Sequence, residues 1–343
     1  MIEVRAAGAA GLGVFALKLI PRGTRIFSER ALLTLQPNNA RAFYPTLKRL
    51  SRRDRDVFME LKPNRSKEMD FWRWSVVLGH TVVNVLEGVM RRNGTGDGRK
   101  FGSENDAVSV VPDADYGTRN SLSDHVAAMS IFRSNAFDIG GGFGKALFPR
   151  TARINHSCLP NSQGNFNSDS KRFNVHATRD IKGGEEVSLN YLLETGQLRR
   201  QRMEKLSEGY GFECGCPACD FENVGTDKSV GGSQGERKRI EMGDMLKDFV
   251  ESGRGKEMEM ETYMGYIKLF ESEGIAGKEL SNMYIQAVDL LVDKYKHKEA
   301  LKLAALALQL DKDCFGTDHP EYKKSLEIVK ALKEALRQRS TAC

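Results

Sequence analysis

The sequence predicts an α+β protein, an irregular β framework split by a mainly helical insert and followed by an all-α C-terminal domain. Three patterns carry this. Short strand-forming runs broken by turn residues occupy positions 1–35 and return at 130–220. Apolar residues at helical spacing mark 36–129, and helical periodicity continues from Ile240 to Ala342.

In chain order, Ile2–Val4, Gly13–Leu19 and Thr24–Leu35 read as strands, with Pro21-Arg22-Gly23 as the turn before the last. The insert places Phe43, Leu47 and Leu50, then Val57, Phe58 and Leu61, at helical intervals. An apolar run from Phe71 to Met90 and a loop at Asn93–Gly98 follow. Residues 130–205 return to short strands, with turns at Gly140-Gly141-Gly142 and Lys182-Gly183-Gly184, and 206–222 form a cysteine-rich turn. Positions 223–239, rich in Gly, Ser and charge, predict a linker to the helical domain 240–343. There Tyr284, Ala287, Val288 and Leu291 share one face, Ala300, Leu303, Ala304 and Ala307 the next, and Leu326, Val329, Leu332 and Leu336 a third. Asp318 is the expected cap of that last helix, with Pro320 in its first turn. The alanine contacts look like tetratricopeptide packing, without three clear 34-residue repeats; an ordinary helical bundle is the alternative.

Composition excludes several classes. With 343 residues, 40% hydrophobic and 29% charged, the chain is that of a globular protein. Its most apolar stretch, Trp74–Val85, is interrupted by Gly79, His80, Thr81 and Asn84 and is far shorter than the roughly 20 residues of a membrane span. No basic patch leads into an apolar segment at the N-terminus, so a reducing compartment, cytoplasmic or nuclear, is expected. The net charge of +6, mild and spread along the chain, names no partner by itself; with one cysteine cluster and no aromatic-plus-basic stripe, direct nucleic-acid binding is not expected.

The six cysteines are too few for a disulfide scaffold. Three of them, Cys214, Cys216 and Cys219, crowd one turn. Thiolates at this spacing suit a tetrahedral ion with metal–sulfur distances of about 2.3 Å. A closed structural zinc site needs a fourth ligand, from Cys158, Cys314, Cys343 or a histidine. Cys158 is preferred because its segment, Asn155-His156-Ser157-Cys158-Leu159-Pro160-Asn161, is too polar and turn-rich for a core strand.

Four segments occur in a telling order: Gly11-Leu12-Gly13-Val14-Phe15-Ala16, Arg153 to Asn161, Gly184-Glu185-Glu186-Val187-Ser188-Leu189-Asn190-Tyr191, and Tyr210-Gly211-Phe212-Glu213 leading into Cys214. Together they resemble a SET-domain protein-lysine methyltransferase of the SMYD-like branch, whose domain is split by an insert and followed by helices. One departure matters: residues 36–129 contain no cysteine, so the zinc-binding MYND finger of that branch cannot be present. The chain is similar to SET proteins of fungi that lack it.

The resemblance implies a SET-type fold with a post-SET zinc turn, and methyl transfer from S-adenosylmethionine to the ε-amine of a lysine in a protein or peptide, histone or not. It further implies cofactor contacts at Gly11, Leu12, Gly13, Asn155, His156, Tyr191 and Phe212, with Tyr191 catalytic. Phe137 and Tyr210 would line the lysine channel, and Cys158, Cys214, Cys216 and Cys219 would hold one structural Zn2+. Asn155–Asn161 would cross beside the segment around Tyr191 in a pseudoknot-like arrangement, an exception to the usual avoidance of threaded chains. A monomer that does not engage membranes is expected. The alternative from another class is an inactive SET-shaped, zinc-stabilised module whose helices dock a peptide.

Overall fold

The computed structural model describes residues 1–37, 39, 42–64, 122–192, 197–220, 236–241, 244 and 256–341. Its strands are β1 (Ile2–Ala6), β2 (Leu12–Ala16), β3 (Arg25–Arg30), β4 (Leu33–Leu35), β5 (Ala136–Asp138), β6 (Lys145–Leu147), β7 (Asn155–His156), β8 (Ser162–Asn167), β9 (Arg172–Ala177) and β10 (Glu186–Leu189). Its helices are α1 (Phe43–Arg49), α2 (Arg52–Met59), α3 (Leu122–Asn135), α4 (Arg199–Tyr210), α5 (Lys256–Ser272), α6 (Lys278–Asp293), α7 (His297–Phe315) and α8 (Pro320–Thr341). None of the described helices is long and apolar enough to cross a membrane. The chain divides into two compact units.

The first unit comprises Met1–Ala31, Phe148–Leu206 and Glu213–Cys343. One of its sheets has the order β1-β2-β10-β7, with β10 antiparallel to β2 and parallel to β7. Alternation along the strands buries Val14, Ala16, Val187 and Leu189 and turns Phe15, Glu186 and Ser188 to the half-buried face. A second sheet, β3-β9-β8, has β9 at its centre with Phe173 to Ala177 buried throughout. Helix α7 covers this sheet: Asn165 Nδ2 donates to Cys314 O at 3.1 Å, and Arg22 Nε donates to Asp313 Oδ2 at 2.6 Å. Along α7, Ala300, Ala304 and Ala307 are wholly buried, small enough to let α6 and α8 pack closely against it. Phe270 and Tyr284 fill the core between α5 and α6; truncating a side chain as buried as Phe270 costs about 3–5 kcal/mol.

The second unit comprises Leu32–Leu147 and Ser207–Phe212. It holds the sheet β4-β6-β5, and its helices bury Phe43 against Phe58 and Phe132. Ser51 caps α2 by accepting from Asp54 N at 3.1 Å.

Several expectations are revised. The strand expected at Thr24–Leu35 is two strands, because β3 pairs with β9 and β4 with β6, and the chain changes partner at Ala31. The strand expected at Gly13–Leu19 ends at Ala16, and α3 runs to Asn135, beyond the insert's expected end. Asp318 does not cap α8: its carboxylate pairs with Arg25, and His319 Nδ1 accepts from Glu321 N at 3.1 Å instead. Residues 236–239 of the expected linker are helical. The rest of that linker, the apolar run Phe71–Met90 and the loop Asn93–Gly98 lie outside the described residues.

Candidate active site and thiol cluster

Parallel pairing of β7 with β10 sets Asn155 beside Ser188 and His156 beside Leu189, joining two motifs far apart in the sequence. The segments then run side by side: Ser157 N donates to Leu189 O at 2.9 Å, Asn161 Nδ2 to Glu186 O at 2.8 Å, and Ser162 Oγ to Ser188 O at 2.8 Å. Beyond β10, Tyr191 is fixed at both ends. Its backbone N–H donates to His156 Nδ1 at 3.0 Å, and its hydroxyl donates to Ile154 O at 2.6 Å. Burial holds the His156 imidazole down to about 4, so it is neutral at pH 7. Accepting at Nδ1 places its proton on Nε2, 3.3 Å from Cys158 Sγ.

At the other edge of β10, Asn155 Nδ2 donates to Leu12 O at 3.1 Å and to Glu186 Oε1 at 2.7 Å. Gly13 lies beneath this contact. A Cβ there would stand 2.2 Å from Glu186 Oε1 and 3.1 Å from Asn155 Nδ2. Gly11 differs: its φ of +84° suits glycine, and a Cβ would meet nothing within 4 Å, leaving open space beside the backbone. Leu12 is exposed, with its carbonyl engaged by Asn155.

The sulfurs of Cys158, Cys214, Cys216 and Cys219 all lie within 4.8 Å of one another. Cys158 Sγ is 3.9 Å from Cys214 Sγ and 3.5 Å from Cys219 Sγ. A tetrahedron with arms of about 2.3 Å has edges of roughly 3.8 Å, so four thiolates here fit one Zn2+. Hydrogen bonds from Cys158, Cys214 and Cys219 hold the Cys216 thiol far below its usual range, while bonds with Cys214, Cys216 and Cys219 push Cys158 up. Of the other candidate fourth ligands, Cys314 is buried within α7, outside this group, and Cys343 lies outside the described residues.

Behind the cluster sits a residue that sequence reasoning missed. Arg202, 1% exposed, donates through Nη2 to Ala218 O at 3.1 Å and to Cys219 Sγ at 3.8 Å, and Glu236 lies 3.8 Å from Nη1. Burial opposes its charge, and the Cys158 and Cys219 sulfurs more than offset that. In sequence it belongs to Arg199-Arg200-Gln201-Arg202, a run that reads as a solvated helix face. Glu186 was visible within its motif, but nothing in the sequence tied it to Asn155 or Gly13.

The three aromatic candidates belong to the second unit. Phe137 lies on β5 opposite Ala146, and the Tyr210 and Phe212 rings meet edge to face at 6.4 Å; all three are half-buried.

Residues 11–192, more than half of the chain, match the family model described as SET domain. The chain belongs to the SET domain family. Among its relatives is mouse protein-lysine N-trimethyltransferase SMYD5, 34% identical over 113 residues, which are 31% of this chain and 27% of that protein. Schizosaccharomyces pombe histone-lysine N-methyltransferase set5 is 38% identical over 92 residues, 26% of this chain and 28% of that protein. The putative SET domain-containing protein L678 of Acanthamoeba polyphaga mimivirus is 26% identical over 229 residues, 64% and 75% of the two chains. The chain thus spans little more than a quarter of the mouse and fission yeast proteins. The α+β, SET-type reading of the sequence and its SMYD-like character agree with these matches.

Proposed function

We propose that this SET protein transfers a methyl group from S-adenosylmethionine to the ε-amine of a lysine in a protein substrate. The observation that carries the reading is the junction of β7 and β10, where Asn155, His156 and Tyr191 gather from two distant motifs beside the glycine turn at 11–13. Relatives named as protein-lysine methyltransferases support it.

When bound, S-adenosylmethionine supplies an electrophilic methyl group on a sulfonium. The open backbone at Gly11 and the oriented Asn155 amide fit its amino-acid end. Tyr191 acts by position. With its proton directed to Ile154 O, its hydroxyl oxygen is an acceptor for the incoming amine and the polarised methyl. Neutral His156 fixes the Tyr191 backbone, so the hydroxyl stays aligned for an in-line displacement. A substrate lysine held beside the sulfonium would have its pKa lowered from about 10.4, so it would lose its proton to solvent before attack and need no strong base from the protein. Cys158, Cys214, Cys216 and Cys219 would hold a zinc ion that is structural, since four sulfurs close its coordination.

Titration calorimetry with S-adenosylmethionine, then methylation of a peptide array with Tyr191→Phe as control, tests this. Micromolar binding is expected, with a rate loss of about 10²-fold or more in the variant at nearly unchanged cofactor affinity. Absence of binding heat would instead support the inactive interaction module.

A further inference from the structure

The cofactor reading gives S-adenosylmethionine a place beside Gly11–Gly13, and on that reading we infer that Glu186 is the anionic anchor for the cofactor's α-ammonium group. The two adjacent glutamates of the Gly184-Glu185-Glu186 turn are used differently. Glu185 is engaged by Arg179 Nη2 at 2.6 Å, Lys182 N at 2.9 Å and Asn161 Nδ2 at 3.1 Å. Glu186 receives one neutral bond, from Asn155 Nδ2 at 2.7 Å, and among the described residues no cation pairs with it.

Arg5, the cation opposite Gly13 on the neighbouring strand, is engaged elsewhere, by Gly184 O at 3.2 Å, Glu3 Oε1 at 3.4 Å and the Phe15 ring, so Glu186 keeps acceptor capacity beside Asn155. Both amide hydrogens of Asn155 are spent, on Leu12 O and Glu186 Oε1, which leaves Asn155 Oδ1 as an acceptor without a donor among the described residues. Glu186, Ser188 and Asn155 share the half-buried face of the sheet through the register of β10 with β2 and β7. A carboxylate and an amide oxygen side by side call for a cation with several N–H donors, and an ammonium supplies three. The same field repels a carboxylate and thereby orients the amino-acid end of the ligand. Gly13 acquires a second reason to be glycine: any side chain there would displace the carboxylate from its place, 2.2 Å from the Cβ position.

The test is a cycle between protein and ligand, read by calorimetry on the full chain. S-adenosylhomocysteine and its deaminated analogue, with hydrogen in place of the ammonium, are titrated into the wild type and Glu186→Gln. Deamination is expected to weaken binding to the wild type by about 10- to 100-fold, the range of a charge-assisted hydrogen bond. The variant is expected to bind both ligands within about threefold of each other. Wild type indifferent to deamination overturns the anchor, even if the variant fails to fold. A variant that still discriminates as strongly as the wild type overturns it too. Wild type that binds neither ligand removes the cofactor reading itself, and the anchor with it.

Discussion

The thiol cluster and the sheet face over Gly13 are both polar sites in one unit, yet they are held together by opposite means. In the cluster, four sulfurs crowd within 4.8 Å with a buried guanidinium behind one of them, an arrangement that would suit a metal ion at its centre. At the sheet face, Tyr191, His156 and Asn155 already have protein partners at 2.6–3.1 Å. The contrast teaches that the first site should be metal-dependent in its stability. The second should be stable without a ligand and should rearrange hydrogen bonds when it works.

The largest effect that could break this comparison is expected at Cys219, which is 1% exposed. Cys219→Ser should lower bound zinc from one equivalent to a small fraction and depress the unfolding midpoint by about 10 °C or more, because metal-binding energy is folding energy. Metal analysis and calorimetry read both, and a variant with full zinc and an unchanged midpoint would remove the metal from its assigned role.

Acid sharpens the comparison at a site away from the thiols. His176 on β9 is buried and accepts from Arg25 Nε at 3.1 Å, and burial lowers it to about 4. The unfolded chain takes up that proton near pH 6.5, so the stability it lends is full above pH 6.5 and is lost as pH falls toward 4, by about 3 kcal/mol. Urea midpoints between pH 7.5 and 4.5 should therefore fall less steeply in His176→Gln, with the pH of zinc release unchanged. Parallel slopes in the two proteins would refute this.

The smallest effect on stability is expected from Gly13→Ala. Its Cβ would meet the far end of the flexible Glu186 side chain at 2.2 Å and Ala7 Cβ at 3.0 Å, so the cost is roughly 1–2 kcal/mol. Zinc content should stay at the wild-type value while affinity for S-adenosylhomocysteine falls by more than the stability loss accounts for. Unaltered affinity would mean that the space above Gly13 has no part in binding.

The architecture was legible where the signal is local. Thiols at 214, 216 and 219 announce themselves by spacing, and Cys158 stands in a segment too polar for a core strand. Pairing partners are not local. Nothing within Thr24–Leu35 states that its halves join different sheets, or that Asp318 is drawn from its helix to Arg25. Arg202 was illegible for a related reason: a buried cation and a solvated one have the same letter, and only the sulfur of Cys219 tells them apart.

The sheet order β1-β2-β10-β7 also has a consequence for synthesis. The β1–β2 hairpin leaves the ribosome before the strand that covers the free edge of β2, which begins at Glu186, about 170 residues later. At roughly 5–20 residues per second, that edge waits on the order of 10–30 s for its partner. During that interval an open row of N–H and C=O groups is available to other nascent chains.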